Sequence, residues 1–219
     1  MSMGSAWPVP YFLDPQNLAV DAVVSFCVSV LLAVMINNEA QAFVSSSLGD
    51  SRIGAKDRFH FNAFLHLSIL GTICYLVAGF GWPRTLDIDR TKFAHPRLYM
   101  IASRLAGPLA NFFLAGIGGS FVAFMNFMDW NPRVFLMVIG VNITTAVYSL
   151  LPIPPLAVGS LICELFPSDE GLARTILVQA GPYLILALAL LDRLTYQGVL
   201  SPYFDPLIKT VYSYCTSIV

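Results

Sequence analysis

The sequence is poor in charged residues. Its 219 residues include 12 Lys and Arg and 13 Asp and Glu, so that 11% are charged, while 57% are hydrophobic. Soluble domains average about 25% charged residues, and a soluble globule could not cover its surface with the few found here. The composition therefore excludes an ordinary soluble enzyme, a disordered protein and a nucleic-acid binder that needs a basic face. With a mean hydropathy of +0.71, the sequence indicates a multi-pass membrane protein.

Cysteine and histidine do not form a recognisable metal site. The four cysteines are scattered without C-x-x-C spacing, and two of them, Cys27 and Cys74, lie in apolar runs, where a free cysteine behaves as a small hydrophobe. The histidines are His60, His66 and His95. They do not combine with Cys, Asp or Glu into a visible zinc site, and we expect no cofactor.

The hydrophobic runs predict an all-α membrane protein. Residues 1–17 lack Lys and Arg and contain Trp7 and Tyr11, which predicts an interfacial lead-in rather than a secretory signal. Residues 18–219 are predicted to form one transmembrane domain of about 4–6 helices. The segment 66–82 is short and contains three glycines, so we expect it to be re-entrant. The longer apolar segments are 18–43, 105–128, 134–151 and 176–191.

The basic residues predict the orientation of the chain. Eight of the 12 Lys and Arg residues fall between Arg52 and Arg104, so the positive-inside rule places this region in the cytoplasm and the N-terminus outside. A re-entrant 66–82 segment then brings residues 37–41 and 152–157 to the same side, whereas a full crossing would separate them. The basic region is expected to contact anionic lipid headgroups, or alternatively an acidic face of a protein partner.

Five stretches, taken in order, resemble motifs of the site-2 protease family of intramembrane zinc metalloproteases, in its compact bacterial branch without a PDZ insertion. The family has Leu-Gly-Asp after its zinc helix, a central Asn-Pro-x-x-His-x-Asp-x-x-Gly-Thr, then Gly-Phe-Gly-Trp, Ala-Gly-Pro-x-Ala-Asn and Asn-x-Leu-Pro-Ile-Pro-Pro-Leu-Asp-Gly-Gly. The corresponding stretches here are Leu48-Gly49-Asp50 and residues 62–72, 79–82, 106–111 and 149–159. The resemblance covers roughly residues 30–200 and implies the family's core fold and a bacterial cytoplasmic membrane.

The resemblance also implies where the active site would lie. In the family, His-Glu-x-x-His places two zinc ligands one helical turn apart, with the glutamate as general base. A distant aspartate completes the ligands, and the metal activates the water that attacks a peptide bond. Anchored on Leu48-Gly49-Asp50, the two histidine positions fall on Asn37 and Gln41, and the glutamate falls on Asn38. A register shifted by one places Glu39 at the base position but still leaves the zinc helix without histidine.

The remaining positions of the resemblance have changed as well. The aspartate ligand aligns with Ala157, its supporting asparagine with Ser149, and the aspartate after the central histidine with Ser68. Amides are poor zinc ligands beside imidazole or carboxylate, and alanine offers no donor atom. Most glycines and prolines of the family motifs are present, while the zinc ligands and the general base are replaced. We therefore interpret the chain as a pseudoprotease and not an enzyme.

Several polar residues in this region have two interpretations. Asn37, Asn38 and Gln41 could form a polar network closed on itself, or they could contact an unwound segment of a partner. Glu39 could face a cavity or cation, or could be solvated at the cytoplasmic edge. For His66 a structural role is favoured over metal ligation. The possible network or partner contacts are Glu39, Asn62, His66 and Asn111.

Three functions remain open at this point. The first is a non-catalytic subunit or scaffold of a larger membrane complex, with other integral membrane proteins as partners. The second is a regulator or chaperone that holds transmembrane clients without cutting them. The third, an active protease of unusual ligation, is disfavoured because the zinc helix contains no histidine. We expect lipids and membrane proteins as partners, and no nucleic acid.

Overall fold

The computed structural model describes residues 20–51, 61–165, 172–195 and 198–217. The predicted lead-in at residues 1–17 lies outside the described residues. The described part contains seven α-helices and two short 3-10 turns, Ala63–His66 and Arg90–Lys92. The helices are α1 (Val20–Ser47), α2 (Ile69–Ala78), α3 (Pro96–Phe127), α4 (Arg133–Tyr148), α5 (Ala157–Leu165), α6 (Leu172–Leu194) and α7 (Ser201–Ser217).

The chain is an all-α membrane protein, as the sequence predicts. In the described parts of the chain, three stretches are long and apolar enough to cross a membrane: Val20–Ser47, Pro96–Phe127 and Thr175–Leu194. Two shorter apolar helices, α2 and α4, lie among them. Helix α3 begins nine residues before the predicted apolar segment because Pro96 stands in its first turn, where proline's fixed φ suits a helix and its missing N–H costs nothing.

The α1, α3 and α4 helices form the centre of the molecule. All residues of α4 from Met137 to Tyr148 are buried, which identifies a helix surrounded by protein rather than by lipid. Glycines on α3 permit close helix approach: a Cβ atom on Gly118 would lie 2.9 Å from Cγ1 of Ile139 on α4. Helix α7 packs against α3 in the same way, since a Cβ atom on Gly119 of α3 would lie 2.3 Å from the carbonyl oxygen of Cys215 on α7.

The residues before and after α2 pair with each other, so the chain enters and leaves this helix at the same place. Ser68 caps the start of α2, and Gly79, with φ of 82°, ends it in the left-handed conformation that glycine adopts without steric cost. An isolated antiparallel bridge joins Leu67 to Pro83, and the Arg84 amide donates to the carbonyl of His66 at 2.7 Å. The two ends of residues 66–84, which we call the hairpin, therefore lie side by side, as a re-entrant segment requires.

Candidate functional site

Five of the six positions predicted from the family motifs line one small cavity. Its walls come from the last turns of α1, the return limb of the hairpin, one face of α3, the end of α4 and the start of α5. The space open to a water-sized sphere is about 20 Å³, which is room for about one water molecule. The lining includes Asn37, Asn38, Gln41, Ser149 and Ala157.

The amides on α1 are buried in a hydrogen-bonded network. Asn37 is 2% exposed and donates from Nδ2 to Oδ1 of Asn111 at 2.8 Å, while Gln41 Nε2 donates to Oδ1 of Asn37 at 2.8 Å. Asn111 in turn donates to the carbonyl oxygen of Ala33 at 3.2 Å and to Oδ1 of Asn142 at 3.0 Å. These contacts link α1, α3 and α4.

A buried ion pair completes the network on the α3 side. Arg104 is 4% exposed and donates from Nη1 to Oε1 of Gln41 at 3.2 Å. Its Nε donates to Oε2 of Glu164 on α5 at 3.0 Å, and its Nη2 contacts Oε1 of the same carboxylate. Arg90 adds a bond from Nη1 to the backbone oxygen of Glu164 at 2.8 Å. A fork of two parallel bonds is the strong geometry for an arginine–carboxylate pair.

Glu39 and His66 form a second polar cluster beside the first. Glu39 is 4% exposed, so it is not a solvated edge residue, and its Oε1 accepts from the Phe61 amide at 3.1 Å. Nε2 of His66 lies 3.0 Å from the same oxygen. Asn38 Nδ2 lies 3.4 Å from Nδ1 of His66 and donates to the carbonyl oxygen of Arg84 at 2.8 Å. His66 therefore lies between Glu39 and Asn38, within hydrogen-bonding distance of both side chains.

Three other predicted positions have local structural contacts. Oδ1 of Asn62 accepts from the Phe64 amide at 3.2 Å and caps a 3-10 turn. Oγ of Ser68 accepts from the Gly71 amide at 3.3 Å. Oγ of Ser149 donates to the Thr145 carbonyl at 2.6 Å. Asn62 does not line the cavity, and Ser68 lines only a neighbouring crevice.

The residues of the cavity do not fit a zinc ion. The motif positions offer three amides and a methyl group where the family has imidazoles and carboxylates, and a guanidinium donates to one of those amides. Zinc is held by thiolate, imidazole or carboxylate groups. Within the described ranges, no group of three or more His, Cys, Asp or Glu side chains could hold a metal ion. No chemical step is therefore assigned to a metal here.

A larger crevice of about 240 Å³ adjoins the cavity. It lies between the hairpin, the start of α5 and helix α6, and it shares Trp82, Thr85, Pro155 and Ser160 with the smaller space. Its walls are mostly apolar, and Glu164 is the acidic residue in its lining. Close backbone approach shapes one wall, because a Cβ atom on Gly181 of α6 would lie 2.0 Å from the Pro154 carbonyl oxygen. This crevice could accept an apolar side chain or segment.

Sequence reasoning missed Arg104, Glu164 and Asn142. The sequence did indicate that Arg104 has a partner. It stands three residues before Gly107 of the Ala-Gly-Pro motif, and an arginine within a membrane helix is costly unless it is paired. Glu164 was the matching carboxylate in a half-length apolar stretch. Their pairing spans 60 positions, so the sequence alone gave no reason to join them.

The chain is similar to a protein of Bacillus subtilis (strain 168) named "Putative zinc metalloprotease YwhC". The two are 31% identical over 165 residues, which is 71% of this chain and 74% of the Bacillus protein. No protein-family model and no solved structure matches the chain.

Proposed function

The chain belongs to the site-2 protease family, and from that premise we propose that it is a non-catalytic member that serves as an integral subunit or scaffold of a larger membrane complex. One observation carries the proposal. The positions of the two histidines, the base and the aspartate ligand line a single cavity, yet they hold Asn37, Gln41, Asn38 and Ala157. The fold that would bring the ligands together is present, and the ligands are not.

The chemistry of the cavity supports the absence of catalysis. Hydrolysis in this family needs a metal to lower the pKa of a bound water and a carboxylate to accept its proton. The base position holds the neutral amide of Asn38, and Glu39, the nearest carboxylate along the chain, faces His66 and the Phe61 amide instead. The network among Asn37, Gln41 and Arg104 leaves room for about one water molecule.

The retained crevice supports a binding role. A membrane protein that no longer cuts still offers a surface for helix packing, and polar groups near a helix interface strengthen such contacts. The crevice of about 240 Å³ lies beside the former active site and has an exposed edge at Val178 of α6. The proposed partners are other integral membrane proteins, in the bacterial cytoplasmic membrane, with the N-terminus outside and residues 52–104 in contact with anionic lipids on the cytoplasmic side.

The crevice also favours a second candidate, a regulator or chaperone that holds transmembrane clients without cleaving them. The two functions differ in stoichiometry. A subunit copurifies with its partners in a fixed ratio after gentle detergent extraction, whereas a chaperone is recovered with variable, substoichiometric clients. An active protease of unusual ligation is the third candidate, and zinc-dependent, chelator-sensitive cleavage of a model transmembrane substrate would establish it.

Affinity purification with quantitative mass spectrometry tests the scaffold proposal. We expect defined membrane proteins at a fixed ratio to the chain. Val178→Trp would fill the crevice and should reduce recovery of those partners. Ile176→Trp is the matched control, because Ile176 is also exposed on α6 but does not line the crevice. Recovery without any partner in fixed ratio would contradict the scaffold role.

A further inference from the structure

Arg104 occupies an unusual position for a charged side chain. It projects from α3 with 4% of its surface exposed and lines the same cavity as the former ligand positions. Its guanidinium bridges two other helices, since it bonds Gln41 on α1 and Glu164 on α5. A charge at such a depth is costly unless it is paired, and here one carboxylate and one amide supply the partners.

The two helices that Arg104 joins are those that a metal would join. The family's ligands come from the zinc helix, which is α1 here, and from the Leu-Asp-Gly motif, whose aspartate position is Ala157 at the start of α5. The geometry points to Arg104 as an internal cation that replaces the metal, tying α1 to α5 and excluding divalent cations from the cavity. This inference rests on the proposed non-catalytic function.

The shape of the side chain supports this role. A guanidinium presents donors in a rigid planar fork, so it can hold a carboxylate with two bonds and an amide oxygen with another, which a lysine ammonium cannot do in the same geometry. Gly107 lies one turn further along the same face of α3. A Cβ atom there would come within 2.5 Å of Asn37 Oδ1, so the absence of a side chain lets α3 approach α1 closely enough for the bond to Gln41.

The charge balance explains why a metal would be disfavoured. The buried guanidinium of Arg104 lines the small cavity, and Asp and Glu are absent from its lining among the described residues. Glu164 instead lines the neighbouring crevice. The cation therefore lines the space of the former ligand positions, and its carboxylate partner does not. Like charges repel strongly where solvent is excluded, so a divalent ion in this cavity would be repelled by the Arg104 guanidinium that lines it.

Zinc affinity in a rebuilt site tests the exclusion. The background is a fourfold variant that restores the nominal ligands and base: Asn37→His, Asn38→Glu, Gln41→His and Ala157→Asp. Adding Arg104→Gln with Glu164→Gln removes both charges of the pair, so no liberated carboxylate can act as a new ligand. Zinc binding is measured by competition with a chromophoric chelator on the full chain in detergent.

We expect the pair substitution to tighten zinc binding by at least about tenfold, since it removes the repulsive charge that lines the cavity. Arg97→Gln in the same background is the matched control: Arg97 is exposed on α3, and its removal should leave zinc affinity unchanged. Equal zinc affinity with and without the pair, or no zinc binding by either variant, would overturn the exclusion. Zinc in the wild-type protein would instead overturn the proposed function.

Thermal unfolding tests whether Arg104 holds α1 and α5 together. In the wild-type background, Arg104→Gln should lower the unfolding midpoint by several degrees relative to Arg97→Gln, because it leaves the partly buried carboxylate of Glu164 without its partner. Arg104→Lys, which keeps the charge but loses the fork, should fall between the two. If Arg104→Gln does not fold, Arg104→Lys still decides the matter. Midpoints for the Arg104 variants that equal the control would show that Arg104 does not tie the helices together.

Discussion

Replacing Gly107 by alanine should disrupt the close contact between α3 and the amide side chains of α1 at the former active site. A Cβ atom at this position would lie 2.5 Å from Oδ1 and 2.8 Å from Cγ of Asn37, and 2.9 Å from Nε2 of Gln41. Real Cβ atoms do not approach other atoms so closely, so either the two amide side chains must leave their hydrogen-bonded positions or the helices must move apart. Overpacking of this kind costs about 1–3 kcal/mol, and losing one hydrogen bond of the amide network adds about 1 kcal/mol.

Gly116→Ala provides the control on the same helix. A Cβ atom on Gly116 would meet no atom within 4 Å, so the substitution should be neutral, or stabilising by up to about 1 kcal/mol through helix propensity. Gly107→Ala gains the same helix propensity, so the two variants should differ by the overpacking and hydrogen-bond costs alone, about 2–4 kcal/mol. For a chain of this size each kcal/mol shifts the unfolding midpoint by about 2–4 °C, which places Gly107→Ala roughly 5–15 °C below Gly116→Ala in a thermal unfolding assay in detergent. Equal midpoints would refute the close packing of α1 against α3.

Two further predictions concern topology and the amide network. Ser51→Cys and Thr91→Cys should both be labelled only from the cytoplasmic side by an impermeant thiol reagent, because the pairing of Leu67 with Pro83 brings the two ends of the hairpin together. Labelling from opposite sides would show that residues 66–82 cross the membrane. Asn111→Leu should destabilise the fold by about 2 kcal/mol in the same unfolding assay, since it leaves buried partners on Asn37 and Asn142 unsatisfied. Asn111→Leu with Asn142→Leu should recover part of that loss, and a double variant no more stable than the single one would contradict the shared network.

The sequence predicted the fold class because its hydrophobic runs and its basic cluster follow directly from the demands of a bilayer. The motif resemblance carried long-range information that periodicity lacks. It aligned Asn37, Asn38, Gln41, Ser149 and Ala157 with active-site positions of the family, and these five residues line one cavity. Helix ends were less predictable. The start of α3 at Pro96 lies in a polar stretch, where capping geometry rather than hydropathy sets the boundary.

The details of the site depended on contacts that sequence spacing does not reveal. Asn37 and Asn111 stand 74 positions apart, and only the packing of α1 on α3 shows that their amides complete each other. The sequence did not determine whether Glu39 faces a cavity or is solvated at the cytoplasmic edge. In the structure its carboxylate contacts His66 and the Phe61 amide, which come from the residues that follow α1. In both cases local propensity is silent, because the partner comes from another helix or turn.

The metal content of the protein tests the central claim most directly. The full-length wild-type chain would be produced in zinc-supplemented cells, purified in mild detergent, dialysed against a weak chelator and analysed by inductively coupled plasma mass spectrometry. The amides at Asn37 and Gln41, the methyl group of Ala157 and the guanidinium of Arg104 predict far less than one zinc ion per chain. Close to one zinc ion per chain after dialysis would contradict a non-catalytic site.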